Sequence, residues 1–349
     1  MTIYQLNPIT DPRWEGFLER QHEASVFQTS AWLQALRLTY GYEPVVFTTS
    51  APIAALENGL VFCHINSWLT GGRIVSLPFS DHCEPLCNSS EALTSILRYL
   101  KKALEPERWR YLEVRPLNGE RAHALESLGL SPGSRYVSHI MDLSPNVEAL
   151  FQNLDKDCVQ RRIRRAERAG LAEKCGASEE LLGHFYKLFV ETRRRKHVPP
   201  PPFSWFRNLA RYQGESLSIR IAYKDYFPVA AILTLRFKNT VYYKYGCSHT
   251  DSNHFGATPL LLWRAISAAK SSGAEKFDFG RTEVDNTGLL AFKNHWVPRP
   301  KCLVYWRFPD RTNLQSLGDW KMKMAKRLFS YMPGNLLRIA GKLVYKHIG

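Results

Sequence analysis

The chain has 349 residues, of which 44% are hydrophobic, 12% aromatic and 23% charged. This composition is typical of a folded globular protein and excludes a chain that is disordered throughout. At about 100 to 200 residues per domain, the length predicts two domains, each able to bury its own core. The chain is therefore too long for a single small binding module.

No segment resembles a membrane span or a secretory signal. A spanning helix needs about 20 consecutive apolar residues, whereas the most apolar stretch is the short run 229–235. Residues 1–14 have neither a basic lead nor an apolar core. The seven cysteines are odd in number and form no Cys-x-x-Cys pair, which favours reduced thiols. We therefore expect a cytoplasmic protein.

Positive charge is concentrated in the second part of the chain, and the net charge of the whole is +15. Residues 1–145 carry 12 cationic and 15 acidic side chains, whereas residues 146–349 carry 35 and 17. This asymmetry favours a polyanionic ligand or a membrane surface facing one part of the protein. Charge that serves only solubility is the alternative.

The two halves of the chain repeat one order of elements. The first half is predicted to contain strands at 45–49, 60–65 and 73–77, a helix at 91–104, a strand at 110–114, a helix at 119–128 and a strand at 136–143. The second half is predicted to contain strands at 217–223, 229–237 and 241–247, a helix at 259–272, a strand at 276–279, a helix at 288–295 and a strand at 302–308. Both halves therefore follow the order β-β-β-α-β-α-β.

The repeat indicates a duplicated unit with a cleft between or beside the two copies. Thr258 as N-cap, Pro259 at the first helical position and Gly273 after the last turn mark the helix of the second copy. We predict a mixed α/β (α+β) fold with four parts: a first domain at 1–145, a basic helical connecting segment at 146–215 that is part of the second domain, a second domain at 216–310, and a basic amphipathic tail at 319–349.

The connecting segment contains a helix with a dense arginine surface. Val159, Ile163 and Ala166 form one apolar face, and Gly170 ends the helix. The remaining faces carry Arg161, Arg162, Arg164, Arg165 and Arg168. Guanidinium groups bind phosphate with two parallel hydrogen bonds, so a tRNA backbone, a lipid pyrophosphate or the phosphates of coenzyme A are candidate ligands.

A second cationic cluster, which begins at Arg193 and includes residues 193–196, ends the next helix. There the alternative is structural, because cations in a last turn stabilise the helix dipole without a ligand. Equivalent strand ends carry Glu113-Val-Arg115 and Asp278-Phe-Gly-Arg281. These side chains either point into a cleft or serve the fold, since Glu113 and Arg115 share a strand face and can pair with each other.

Asp81-His82-Cys83-Glu84 combines residue types that bind metals, with Cys87 downstream. The spacing argues against a metal site, because no second Cys/His pair follows at a zinc-finger distance. We predict instead a polar loop that lines a substrate cleft, and no metal site.

Several motifs in fixed order resemble those of one protein family. They are Tyr243-Lys-Tyr-Gly-Cys-Ser, Pro259-Leu-Leu-Leu-Trp-Arg-Ala-Ile, Phe277-Asp-Phe-Gly-Arg and Gly288-Leu-Leu-Ala-Phe-Lys293, with Leu77-Pro-Phe-Ser-Asp81-His82 and Leu112-Glu-Val-Arg115 in the first half. Together they resemble the FemAB-like transferases of the GNAT superfamily and are similar to the CelD-like bacterial proteins. The resemblance covers roughly residues 25–308.

The resemblance implies two tandem GNAT-like domains that move an acyl or aminoacyl group from an activated donor onto an amine or hydroxyl. FemAB-like enzymes use aminoacyl-tRNA and a lipid-linked peptidoglycan precursor, while other relatives use acyl-thioesters on sugars or exopolysaccharide. The sequence departs from the acyl-CoA pattern in the loop before the helix at 259–272. There Asn253 replaces the usual cation and Thr258 the last small residue, which weakens coenzyme A as the donor.

The chemistry implied needs no covalent enzyme intermediate and no bound cofactor, only a base, alignment and donors for the developing oxyanion. Asp81, His82 or Asp278 is the candidate base, and Tyr245 the candidate acid for the leaving group. The candidate substrate-binding residues are Glu113, Arg115, Arg161, Arg164, Arg165, Arg193, Lys244, Arg281 and Lys293.

We therefore predict a bacterial FemAB-like transferase of cell-wall or exopolysaccharide assembly, with aminoacyl-tRNA or acyl-CoA as donor. Two alternatives remain open: an acyl-CoA-dependent N-acyltransferase, and an inactive GNAT-like binding module. The tail at 319–349 carries seven cations and one anion around apolar faces. It predicts either a contact with the inner face of the cytoplasmic membrane or a helix docked on the protein itself.

Overall fold

The computed structural model describes residues 1–68, 71–103, 109–309 and 334–348. Its strands are β1 Tyr4–Leu6, β2 Pro44–Thr48, β3 Asn58–Ile65, β4 Arg73–Val75, β5 Leu86–Cys87, β6 Tyr111–Val114, β7 Ser131–Asp142, β8 Ala172–Gly176, β9 Leu217–Lys224, β10 Phe227–Phe237, β11 Thr240–Ser248, β12 Lys276–Glu283 and β13 Lys301–Phe308. Its α-helices are α1 Arg13–Arg20, α2 Ser30–Tyr40, α3 Ser90–Ala103, α4 Ala122–Ser127, α5 Val147–Gln152, α6 Arg161–Arg168, α7 Glu179–Arg195, α8 Phe203–Gln213, α9 Ala257–Ser271, α10 Thr287–Asn294 and α11 Gly334–Ile348.

The chain forms two compact units. Unit 1 contains residues 1–136, strand β13 from residue 302 and the end of α11 from residue 342, and unit 2 contains residues 137–301 with the beginning of α11. The predicted mixed α/β fold is confirmed. The four-part division of the chain stays a prediction.

Both units use the same sequence of strand pairings, as expected of a duplication. In unit 1, β1–β2, β2–β3 and β3–β4 are antiparallel and β4–β6 is parallel. In unit 2, β8–β9, β9–β10 and β10–β11 are antiparallel and β11–β12 is parallel. A helix, α3 or α9, crosses over before the parallel strand in each unit, as parallel pairing requires.

Strands β8 and β13 differ from the sequence prediction, which also gave no element for β1, α1, α2 and β5. Strand β8, which pairs with β9, lies in the connecting segment that was predicted to be helical; its sequence Ala-Glu-Lys-Cys-Gly is too polar to reveal a strand. Strand β13 was predicted to close the second half, yet it pairs antiparallel with β6 of unit 1. A local pattern predicts a strand but not its partner, so this difference could not be seen in the sequence.

The helix boundaries follow the local sequence with one correction. Helix α9 begins at Ala257, after Gly256 at φ 79°, so Thr258 lies inside the first turn and is not the N-cap. Pro259 is tolerated there because the first turn needs no backbone N–H donor. Gly273 has φ 81° after the last turn, as predicted.

Each unit has its own apolar core. The core of unit 1 gathers buried side chains of β2, β3, β6 and α3, including Phe47, Phe62, Ile96 and Leu112. The core of unit 2 gathers those of α6, α9 and β12, including Ile163, Leu261 and Phe277. Among the described residues, no helix is long and apolar enough to cross a membrane.

Candidate active site

A buried lysine is fixed at the end of β12 in unit 2. Lys293, on α10, is 3% exposed, and its Nζ donates hydrogen bonds to the carbonyl oxygens of Gly280 at 2.8 Å and Arg281 at 3.2 Å. Gly280 has φ 71°, a conformation that glycine adopts without strain. The Asp278 carboxylate, itself 2% exposed, accepts the Gly280 N–H at 2.7 Å. The motif Asp-Phe-Gly-Arg thus forms a local kink within β12, at Gly280, that holds the ammonium group.

His139, on the neighbouring strand β7, completes this cluster. It is fully buried, and its Nε2 lies 2.8 Å from the Asn294 Oδ1. Burial and the charge of Lys293 lower the pKa of His139, and the Asn294 hydrogen bond and Asp278 only partly offset them. The ring is therefore neutral at neutral pH. Its Nδ1 has no hydrogen-bond partner among the described residues.

His139 is not among the site residues predicted from the sequence motifs. The available signal was a histidine inside an otherwise ordinary strand pattern, Ser138-His-Ile-Met-Asp142. A polar residue at a buried strand position needs a partner, and that requirement marks it for attention.

The cluster lies where two parallel strands part. The pairing of β11 with β12 covers Thr240–Tyr242 and Lys276–Asp278, although both strands continue further. The later residues of β11 and β12 are not paired with each other within the described chain, so the two strands diverge past this point. Tyr245 lies on the diverging part of β11. Its Oη accepts the Trp205 Nε1–H at 2.8 Å, and its ring packs edge-on against Phe206.

The arginine helix packs beside the loop that precedes α9. Val159, Ile163 and Ala166 are buried, as predicted, and the arginines face outward. The Arg165 guanidinium donates to the His254 carbonyl at 3.3 Å, and a Cβ at Gly256 would collide with the carbonyl of Arg162. Helix α9 has no side-chain cap at its N-terminus, so its positive end and the arginines together favour an anion.

The second cationic cluster is tied to its own backbone. Arg193 donates two hydrogen bonds to the Pro199 carbonyl, at 3.2 and 3.3 Å. Arg195 contacts the carbonyl of Ser248 at 3.3 Å and the hydroxyl of Thr250. Arg193 thus holds the end of α7, while the side chain of Arg195, the last residue of α7, binds the start of the loop before α9. Lys244 and Arg281 are half-buried in the same unit.

In unit 1, Glu113 and Arg115 form an ion-pair network. The Glu113 carboxylate is 1% exposed and accepts bonds from Arg115 Nε at 2.7 Å and Arg307 Nε at 2.5 Å. Burial alone would raise the pKa of Glu113, but the two guanidinium groups lower it to about 2. Arg115 also donates to the Leu77 carbonyl at 2.7 Å and lies over the Tyr305 ring. These contacts hold β6, β13 and the segment after β4 together.

Asp81 and His82 lie in the segment after β4, also in unit 1. The Asp81 carbonyl accepts the Tyr305 hydroxyl at 2.7 Å, and the buried His82 ring packs edge-on against Phe27. The next acidic residue, Glu84, binds Arg121 at 2.5 Å and the backbone N–H groups of two later residues. The structure thus gathers Asp278, Lys293 and Arg281 in unit 2, whereas Asp81, His82, Glu113 and Arg115 belong to unit 1.

Comparison with known protein families identifies the type of domain that carries this cluster. Residues 157–294 match the family of the acetyltransferase (GNAT) domain. This part of the chain is a GNAT domain, and the protein is an acyltransferase, as the sequence motifs predicted. No curated protein matches the chain.

Solved structures with the same fold span nearly the whole chain. The crystal structure of FemX is similar with a TM-score of 0.71 and 14% identity, over 91% of this chain and 99% of that one. L-PGS from Bacillus licheniformis gives 0.57 and 13%, over 94% and 99%. A tandem GNAT protein from the clavulanic acid biosynthesis pathway gives 0.55 and 10%, over 88% and 97%. The predicted FemAB-like, tandem GNAT fold is thereby confirmed.

Proposed function

We propose that this protein transfers an acyl or aminoacyl group from an activated donor onto an amine or hydroxyl of a cell-wall or exopolysaccharide precursor. One observation carries the proposal: the buried Lys293 ammonium, clustered with Asp278 and His139 where β11 and β12 part, within the GNAT domain. A fixed ammonium in a poorly hydrated position stabilises the negative charge that develops on a carbonyl oxygen during acyl transfer.

The proposed reaction moves one proton away from the acceptor and one to the leaving group. The acceptor amine or hydroxyl attacks the donor carbonyl carbon while Asp278 removes its proton, and the bond to the leaving oxygen or sulfur then breaks. Tyr245 protonates that leaving atom. Because Trp205 donates to the Tyr245 oxygen, the phenol proton points away from Trp205. His139 acts as a positioning residue, through its bond to Asn294, which follows Lys293 in α10.

The proposed donor is aminoacyl-tRNA, with acyl-CoA as the second candidate. The arginine surface of α6 beside the uncapped start of α9 supports a donor with several phosphates. The matched acetyltransferase family favours acyl-CoA. Asn253 disfavours it, since its side chain bonds the Ser248 hydroxyl at 2.9 Å where a pyrophosphate loop would need a cation.

Contact with the inner face of the cytoplasmic membrane is a further part of the proposal. Ile339 and Leu343 on α11 are each 57% exposed, four residues apart on one helix face. Lys342 and Lys346 are also exposed. Apolar side chains flanked by lysines suit the surface of anionic lipid, where each cation contributes about 1 kcal/mol.

The experiment that tests the function offers both donors separately. Purified protein is incubated with labelled aminoacyl-tRNA or labelled acyl-CoA, each with an amino-sugar or a lipid-linked muropeptide as acceptor. Transfer from the charged tRNA to the lipid-linked acceptor supports the proposal, and transfer from acyl-CoA alone supports the second candidate. Binding of either donor without transfer to any acceptor would contradict both and favour a binding module.

A further inference from the structure

A group of three metal-binding side chains lies outside the cluster around Lys293. Asp155, Cys158 and His295 each offer one ligand atom, and these atoms all lie within 4.8 Å of one another. Asp155 Oδ2 is 3.1 Å from His295 Nδ1. We propose that this group binds a divalent transition-metal ion of the zinc type and thereby fastens the turn before α6 to the end of α10.

The ligand types match the preference of such an ion. A thiolate, an imidazole nitrogen and a carboxylate oxygen are three common zinc ligands, and water completes a tetrahedron. Zinc–ligand bonds of about 2.0 to 2.3 Å place neighbouring ligand atoms about 3.3 to 3.8 Å apart. The Asp155–His295 separation of 3.1 Å and the upper limit of 4.8 Å within the group lie close to that range. The thiolate and the carboxylate also balance the charge of a dication.

Backbone hydrogen bonds hold the three residues close together without an ion. Asp155 Oδ1 accepts the backbone N–H groups of Asp157 at 3.0 Å and Cys158 at 2.7 Å, which turns the chain so that residues 155 and 158 face the same side. The Asp155 N–H donates to the His295 carbonyl at 3.2 Å, so the two elements are already joined. About a third of each of the Asp155 and His295 side chains is exposed, which leaves a path for the ion.

An ion bound by these three residues would affect the positions of two elements of unit 2. Helix α6, which carries the arginine surface, begins at Arg161, and Lys293 lies two residues before His295. An ion at this point would hold both elements in unit 2 at fixed positions. Metal bound to the folded chain alone stabilises it by mass action. Asp155-x-x-Cys158 and His295 lie far apart in the sequence, which is why no motif reveals them.

The test is direct titration of the metal-free full-length protein with Co²⁺ and Zn²⁺. We expect one Co²⁺ per chain, with the near-ultraviolet charge-transfer absorption of a thiolate ligand, displacement of Co²⁺ by Zn²⁺, and a higher melting temperature with Zn²⁺. Cys158→Ser should abolish the charge-transfer band, and His295→Gln should weaken Zn²⁺ binding at least tenfold. The control Cys175→Ser removes an exposed thiol outside the group and should change neither.

The same titrations define the results that would overturn the metal-site proposal. Absence of stoichiometric binding at micromolar Zn²⁺, or a Co²⁺ spectrum that survives Cys158→Ser, would overturn the proposal. Loss of the band in Cys175→Ser, with retention in Cys158→Ser, would assign the metal to another thiol and would overturn it too. Because the measurement needs no donor or acceptor, its result is independent of the proposed transferase reaction.

Discussion

Asp278 shapes the kink in β12 on which the position of Lys293 depends. Its carboxylate accepts the Gly280 N–H, and Gly280 in turn presents its carbonyl to the Lys293 ammonium. We predict that Asp278→Asn lowers kcat at least 100-fold, because it removes the proposed base while keeping a side-chain oxygen that accepts the Gly280 N–H. Steady-state kinetics and circular dichroism measure the two effects. Unfolding of Asp278→Asn, with no separable loss of turnover, would make Asp278 purely structural.

Because His139 is neutral in the folded protein, we expect the free energy of unfolding to depend on pH. Its folded-state pKa is lowered, mainly by burial, so the unfolded chain binds the proton more readily. The native state therefore loses stability as pH falls below about 6.5, the pKa of an unperturbed histidine. Replacement by glutamine should flatten this part of the stability profile, measured by urea unfolding between pH 7 and pH 5. An unchanged slope would contradict a neutral buried His139.

If His139 positions Lys293 through Asn294, His139→Gln should lower kcat while leaving KM for the donor nearly unchanged. A merely structural role would lower stability without that division between kcat and KM. A variant of His184 provides a matched control, because this histidine also bonds a neighbouring side chain in unit 2, the Tyr223 hydroxyl at 2.9 Å. His184→Gln should leave kcat unchanged.

Glu113 contributes stability to unit 1 that depends on its charge. Its folded pKa of about 2 lies below the unfolded value, so the contribution is present above about pH 4.3 and is lost as pH falls toward 2. Glu113→Gln leaves Arg115 and Arg307 without their counter-ion and should cost about 3 kcal/mol at pH 7. The difference from wild type should shrink as pH falls below 4. A constant difference down to pH 2.5 would contradict the ion-pair account.

Among the secondary-structure elements, the arginine helix α6 allows the clearest test of donor binding. Replacing Arg161, Arg164 and Arg165 by glutamine should weaken donor binding and reduce its salt dependence, because fewer phosphates release counter-ions. The melting temperature should barely change, since the buried face of α6 is untouched. A control with three exposed arginines elsewhere, Arg98, Arg207 and Arg211, removes the same charge. Equal weakening by both triple variants would mean that net charge alone matters.

The contacts of the described part of the tail support docking of α11 on the protein. They leave Ile339 and Leu343 exposed, as the membrane proposal requires. In unit 1, the His347 Nδ1 lies 3.0 Å from the Ser67 hydroxyl, its carbonyl accepts from Arg73 at 2.9 Å, and the Tyr345 ring stacks near Tyr40. The predicted tail residues Met324, Leu328, Tyr331 and Met332 lie outside the described residues, as do the side chains of Leu336 and Leu337.

Truncation after Gly318 separates the two interpretations of the tail. The contacts of Tyr345 and His347 predict that the truncated protein melts at a lower temperature. For the membrane proposal, full-length protein should sediment with anionic vesicles at low salt, and Leu343→Glu should abolish this without loss of stability. Sedimentation that is unaffected by Leu343→Glu would contradict the exposed-face proposal.

Across the whole molecule, alternation and helical spacing were enough to predict the repeat, because buried strands such as β10 and helices such as α3 carry strong periodic patterns. Three of the features that could not be predicted depend on long-range partners. Strand β13 pairs with β6, Glu113 is neutralised by Arg307 from β13, and His139 meets Asn294 from α10. A single sequence records which residues alternate, but not which distant residue satisfies a buried charge.

The proposed role of the Lys293 ammonium can be measured by single-turnover transfer of a labelled acyl or aminoacyl group by wild-type protein and by two lysine variants. Lys293→Met removes the buried ammonium on α10, whereas Lys276→Met changes an exposed lysine at the start of strand β12, whose backbone carbonyls hold that ammonium. We expect Lys293→Met to transfer at least 100-fold more slowly with donor binding intact, and Lys276→Met to match wild type. Transfer at the wild-type rate by folded Lys293→Met would contradict this role.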